Sequence, residues 1–137
     1  MEGNYGNIKY KGHFTIRYKK VWDTVTSLEN YSWRSNISKI EILNEKEFVE
    51  HTKDGYQTIF TTIAMEPYKL WKFSMENDNI RGDWTGLFAQ EGNKTIIDFT
   101  ENVVAKKVLM KPFVRLYLKR QQKTYIGDLK KVLRDSR

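Results

Sequence analysis

From Ile8 onward the chain alternates apolar and polar residues in seven separate stretches, the period of half-buried strands. The first covers 8–16 and puts Tyr10, Gly12, Phe14 and Ile16 on one face. Six more follow closely, over 38–43, 47–53, 56–65, 68–76, 80–90 and 94–104. Turn residues separate them: Asn44-Glu45, Asp54-Gly55, Glu66-Pro67, Asn77-Asp78-Asn79 and Glu91-Gly92-Asn93. Connections this short join only antiparallel neighbours, because a parallel crossover needs a dozen or more residues. The pattern predicts a six-strand meander preceded by one further strand.

Two stretches change period. Val21, Val25 and Leu28 stand at i, i+4 and i+7 with Trp22 beside them, which predicts a short amphipathic helix. Asn30-Tyr31-Ser32 ends it, and 33–36 is predicted to form a second helical turn. After the meander, Lys111-Pro112 marks a boundary and a long helix is predicted over 112–134. Val114, Leu118, Gln121, Gln122, Tyr125, Leu129, Val132 and Leu133 share one arc of it. Arg115, Lys119, Lys123, Lys130, Arg134 and Arg137 share another. The apolar arc and the apolar sheet face each need cover, and the chain supplies little else. An α+β fold follows, with a curved seven-stranded antiparallel sheet against one long C-terminal helix.

Composition narrows the class. The 137 residues suit one domain, with 1–7 expected as a flexible N-terminus and 8–137 as a single folded unit. There is no cysteine, which excludes disulfides, thiolate metal sites and cysteine nucleophiles. Mean hydropathy is −0.67, and the longest apolar runs fall far short of the ~20 residues of a membrane span. The first seven residues lack the basic and apolar regions of a signal peptide, so a cytoplasmic location is expected. The net charge of +7 is concentrated at one end: residues 106–137 hold 11 Lys/Arg against 2 Asp/Glu. That stripe is either a solvated helix face or a weak contact for an anionic membrane surface. Phe113 and Leu116, near Val108, Leu109 and Met110, either form a lip that meets lipid or pack under a loop. Nucleic acid is not expected, because no aromatic ladder interleaves with the basic residues.

The order strand, two short helices, six-strand meander and long helix resembles the START-like (SRPBCC) superfamily. That group includes the polyketide cyclase/dehydrase-like and birch-pollen-allergen-like proteins. Local segments are similar too: Phe14-Thr15-Ile16 leading to Val21-Trp22-Asp23, then Leu28-Glu29-Asn30-Tyr31 and Trp33, then 37–42. The stretch 88–95, with Glu91-Gly92-Asn93 before Thr95, resembles the family's Gly-Gly-Thr turn, and Leu129-Lys130 its terminal signature. Arg17-Tyr18 replaces the usual Ala-Pro, and Gly92-Asn93 the double glycine. The resemblance covers about 8–134 and implies a helix-grip fold enclosing an elongated, mostly apolar cavity. Such cavities bind lipids, sterols, polyketides, plant hormones or quinones, and some members catalyse cyclisation or dehydration.

Alternation assigns the inward faces. On the last strand, Thr95, Ile97, Phe99, Glu101 and Val103 point inward; on the preceding one, Ile80, Trp84, Gly86 and Phe88. For 70–76 the more apolar set is Trp71, Phe73 and Met75. For 56–63 two sets compete, and Phe60 is the candidate ring. Phe14 from the first strand, and Tyr117, Gln121 and Tyr125 from the helix, complete the expected ligand-binding set. Glu101 is the one candidate for acid–base chemistry: in a dry cavity its pKa rises, whereas at a strand end it is solvated or lysine-paired. His13 groups with Lys9, Lys11 and Thr15 on a polar face, and His51 lies near a hairpin; both are expected at the surface. No metal or cofactor is expected.

Binding or transport of a small hydrophobic or amphipathic molecule is the expected function. A cyclase/dehydratase-like enzyme is the alternative, using Glu101 with Tyr125 or Gln121. A third possibility is a partner-binding module whose cavity is filled by its own rings.

Overall fold

A computed structural model describes residues 5–135. The elements run β1 (Tyr5–Phe14), α1 (Tyr18–Thr26), β2 (Ile37–Ile42), β3 (Glu47–Thr52), β4 (Gln57–Glu66), β5 (Leu70–Glu76), β6 (Ile80–Glu91) and β7 (Lys94–Ala105). A 3₁₀ segment, Val108–Phe113, leads into α2 (Val114–Asp135). The strands form one antiparallel sheet in the order β1-β7-β6-β5-β4-β3-β2. This is the helix-grip arrangement, and it bears out the seven strands, α1 and the long C-terminal helix.

Three boundaries differ from the pattern. β1 starts at Tyr5, so 5–7 of the segment expected to be flexible pair with β7, Tyr5 opposite Val104; residues 1–4 lie outside the described residues. Pro112 falls inside the 3₁₀ segment, and α2 begins two residues later. Residues 33–36 form turns and not a second helix. Local side-chain bonds compete with the helix there: Ser27 Oγ accepts from Asn30 N–H, and the Asn30 carbonyl accepts from Trp33 Nε1–H.

Curvature comes with two irregularities in the ladders. Register shifts at Ile37/Lys39 between β2 and β3, and at Thr62/Ala64 between β4 and β5. A bulge bends its strand, and Ile63, which sits at the second one, is exposed. The competition on β4 resolves accordingly: Phe60 is buried, while Ile59 and Ile63 are exposed.

The long helix, about 33 Å from 22 residues at ~1.5 Å each, lies against β1 and β7. Val114, Leu118, Leu129 and Leu133 are buried beneath it, with Ile126, which the predicted arc omitted. They meet Ile8, Ile97, Phe99 and Val103. At roughly 25 cal/mol per Å² of apolar area, each fully buried side chain contributes about 1.5–3 kcal/mol. Arg115, Lys119, Lys123, Lys130 and Arg134 are exposed on the opposite face. Val108, Leu109, Phe113 and Leu116 are exposed as well, so they do not pack under a loop. No helix among the described residues is long and apolar enough to cross a membrane.

Because α2 sits over one end of the sheet, β3–β6 must cover their inner face with their own rings. A chain of aromatic contacts does so, one ring per strand. Phe48 stacks on Phe60 at 4.9 Å, Phe60 meets Phe73 edge-on at 5.1 Å, and Phe73 stacks on Trp84 at 4.8 Å. Trp84 then meets Phe99 at 4.9 Å, and Phe99 reaches Tyr125 of α2 at 6.3 Å. The two stacked pairs are direct cross-strand partners. Where this layer curves away from α2, space is left.

Candidate functional site

That space is a cavity of about 160 Å³ between the aromatic layer, α2 and the 27–36 segment. A cavity of ~150 Å³ lined by apolar side chains holds one benzene, so this one is scaled to a single ring or a short chain. It is smaller than the ~300–1,000 Å³ of most ligand pockets. The large side chains of the layer are the reason.

Nine of the eleven expected residues line it: Phe60, Trp71, Phe73, Trp84 and Phe99 from the sheet, with Glu101, and Tyr117, Gln121 and Tyr125 from α2. Phe14 and Phe88 do not. Both are buried and face inward, but toward the far end of the sheet. Phe88 packs edge-on against Trp22 of α1 at 5.0 Å, and Phe14 pairs opposite Thr95. Alternation assigns a face; it does not say which helix covers that part of the strand. Gly86 has a local role here. A Cβ on it would lie 2.4 Å from the Trp84 ring, so its missing side chain lets the indole lie along β6 as a cavity wall.

The polar side of the cavity holds residues that the sequence pattern did not single out. Arg34 pairs with Glu50 of β3 through both nitrogens, at 3.2 and 3.4 Å. Its guanidinium stacks 4.8 Å from the Tyr125 ring centroid and 5.7 Å from that of Trp33. Its Nε is buried with no hydrogen-bond partner. Asn36 donates to Gln121 Oε1 at 3.1 Å, and Ser35 donates from both its N–H and its hydroxyl to Asp128 at 2.8 Å. These bonds tie the irregular 31–36 segment to α2 and hold Arg34 in place. Glu50 was legible in one respect: alternation places it inward with Phe48. Arg34 sits in a turn, where no period exists to read.

Glu101 lies directly opposite Trp84 on β6 and Ile8 on β1. Burial, first, and the negative Glu50, second, push its carboxyl up to about 7. Among the described residues, no hydrogen bond or ion pair is made to its carboxylate. Neither a strand-end solvated carboxylate nor a lysine pair describes it. Burial raises the Tyr125 phenol, with Arg34 opposing and Glu50 adding to the rise. Burial and then Glu101 raise Tyr117. Burial alone would lower Arg34, but Glu50 chiefly, then Tyr125 and Asp128, more than offset it, so it stays charged. The site thus holds two neutral phenols, one buried ion pair and one carboxyl that exchanges its proton near neutrality.

The remaining candidates lie elsewhere. His13 is exposed, and His51 pairs with Glu41 at 3.2 Å on the outer side. No group of His, Asp and Glu among the described residues is arranged to hold a metal. A wider, shallower depression of about 570 Å³ crosses the outer sheet face, between Thr61, Ser74, Asp83 and Asn102. Most of its polar lining alternates with the inward set along the same strands, and its Glu76 carboxyl, paired with Lys106, is held below the usual carboxylate range at the surface. The inner cavity is the candidate site.

No known family model and no curated protein matches the sequence. Solved structures do match in shape. A START superfamily protein from Mycobacterium smegmatis superposes with a TM-score of 0.86 at 11% identity, over 96% of this chain and 99% of that one. The protein XoxI from Bacillus cereus follows at 0.77 and 11%, over 95% and 96%. The di-domain ARO/CYC BexL of the BE-7585A biosynthetic pathway gives 0.74 at 17%, over 95% of this chain and 50% of that one. At these identities the likeness concerns the fold: it is START-like.

Proposed function

We propose, from a START-like helix-grip fold that encloses a ring-lined void, that this protein binds one small, largely apolar molecule between its sheet and α2. The observation that carries this reading is the aromatic layer itself. Six rings of the sheet, those of Phe48, Phe60, Trp71, Phe73, Trp84 and Phe99, pack against one another and still leave about 160 Å³ beside polar side chains that include Arg34, Glu50, Glu101, Gln121 and Tyr125. Apolar walls with a few convergent polar groups are the usual composition of a small-molecule site. The ordering of the 31–36 segment on α2 supports the same reading, since it closes one wall through named bonds and not through packing alone.

A second reading is favoured by Glu101. A carboxyl near 7 suits a general base, so the alternative is a cyclase- or dehydratase-like enzyme on a one-ring substrate. BexL, among the structures of similar shape, is a di-domain ARO/CYC. Against it, Glu101 has no second group holding it in a fixed orientation, which a positioned base needs.

The test is calorimetric. A neutral one-ring probe, 2-phenylethanol, should bind the wild-type protein. Gln122→Trp, which places an indole in the cavity from a half-buried lining position, should weaken it at least about tenfold without lowering the melting temperature. Equal binding by the variant would place the probe elsewhere, and turnover of a one-ring substrate would favour the enzyme.

A further inference from the structure

The charges facing the cavity do not balance, and the imbalance has a sign. Glu50 and Glu101 both line it, against one cation, Arg34. Arg34 is committed: it chelates Glu50 through both terminal nitrogens and stacks on Tyr125. Among the described residues, Glu101 therefore has no donor or cation of its own in its protein-enclosed position, opposite the Trp84 ring that forms the neighbouring wall. Gln121 of α2, on the same lining, is oriented by the Asn36 amide that donates to its Oε1, and it makes no hydrogen bond to Glu101. An unpaired carboxylate flanked by aromatic faces is a poor host for a second anion. It is a good host for a cation, which gains the ion pair, the charge-assisted hydrogen bonds and the ring quadrupoles together.

We infer that the cavity takes a one-ring or short-chain apolar molecule carrying a protonated amine, with the ammonium at Glu101 beside Trp84 and the apolar part among Phe60, Phe73 and Phe99. This rests on the cavity-binding reading above and adds the class of ligand. Size and charge each select. About 160 Å³ excludes multi-ring and long-chain amphiphiles, and the lone carboxylate excludes fatty or aromatic acids. The Glu101 proton behaves consistently. Without a ligand the carboxyl shares its proton with water near neutrality, and an arriving ammonium displaces it. The groups facing it are Glu50 on β3, Arg34 in the 27–36 segment, and Tyr117 and Tyr125 on α2. Arg34 and the two phenols keep their protons over pH 5.5–8, so the change in that range belongs to Glu101.

Three probes matched in size decide it: 2-phenylethylamine, 2-phenylethanol and 3-phenylpropionate, titrated into the full chain by calorimetry at pH 5.5 and 8. The amine is expected to bind at least about tenfold tighter than the acid at pH 8, with the alcohol between. Its affinity should rise at least about tenfold from pH 5.5 to 8, while that of the alcohol changes little. In Glu101→Gln the amine should lose its advantage and the alcohol should still bind. An acid that binds as well as the amine, or an amine preference that survives Glu101→Gln, overturns the inference and leaves the cavity reading standing. Failure of all three probes to bind overturns both.

Discussion

Replacing Glu101 by Gln is expected to make the protein more stable at pH 8, by roughly 2–3 kcal/mol, and to leave it unchanged near pH 4. The reasoning concerns where the proton sits in each state. An unfolded glutamate ionises around its ordinary value of 4.5, whereas folded Glu101 holds its proton to about 7. Below 4.5 both states are protonated and burial costs little. Between 4.5 and 7 the unfolded chain releases the proton and the folded one keeps it, so the unfolded state gains and stability falls as pH rises. Above 7 the folded protein carries the full cost of a desolvated carboxylate beside Glu50. A difference of about 2.5 pKa units corresponds to about 3 kcal/mol, and the carboxyl's contact with the cavity trims it. Urea denaturation of both proteins from pH 4 to 8 checks this. The wild-type midpoint should fall across the interval relative to the variant, and parallel profiles would mean that Glu101 titrates like an exposed glutamate.

Arg34→Leu is expected to cost about 3 kcal/mol at pH 7, among the largest losses open to a residue outside the regular elements. Arg34 and Glu50 keep only 15% of their side-chain surfaces exposed, and each is the other's counter-charge. Removing the guanidinium leaves the Glu50 carboxylate in an aromatic cavity with no cation, and it also removes a stacking partner of Tyr125 and Trp33. The double variant Arg34→Leu/Glu50→Leu should recover most of the loss, because neither charge is then left alone. Thermal or urea unfolding of the single and double variants measures it. A single variant within about 0.5 kcal/mol of wild type would mean that the pair is solvated and contributes as a surface pair does.

Much of the architecture was legible from alternation because each strand has one dry face and one wet one. Trp71, Phe73 and Met75 against Lys72 and Ser74, or Ile97 and Phe99 against Asp98 and Thr100, state the face and the register at once. β4 resisted because its outward face also carries the apolar residues Ile59 and Ile63, so composition did not separate the two competing sets. Residues 33–36 misled for a related reason: Trp33 looked like part of a helical face, but its indole donates to Asn30 and packs on Tyr125.

The site was readable only as far as periodicity extends. Glu101, Gln121 and Tyr125 sit on a strand and a helix, so their directions followed from spacing. Arg34 reaches the cavity from a turn fixed by Asp128 and Gln121, more than 80 residues away in sequence. Phe14 and Phe88 show the converse limit. Their faces were right, but both lie away from the cavity, and the covering of Phe88 by Trp22 of α1 is something no alternation records.

The central claim is that the gap between the bent sheet and α2 receives a small molecule. Resonance assignment followed by titration with the neutral probe 2-phenylethanol reads it residue by residue. Shifts concentrated at the Trp84 indole and the Phe73, Phe99, Glu101 and Tyr125 signals are the predicted result. Shifts gathered instead around Thr61, Ser74, Asp83 and Asn102 on the outer face, or none at saturating probe, would contradict it.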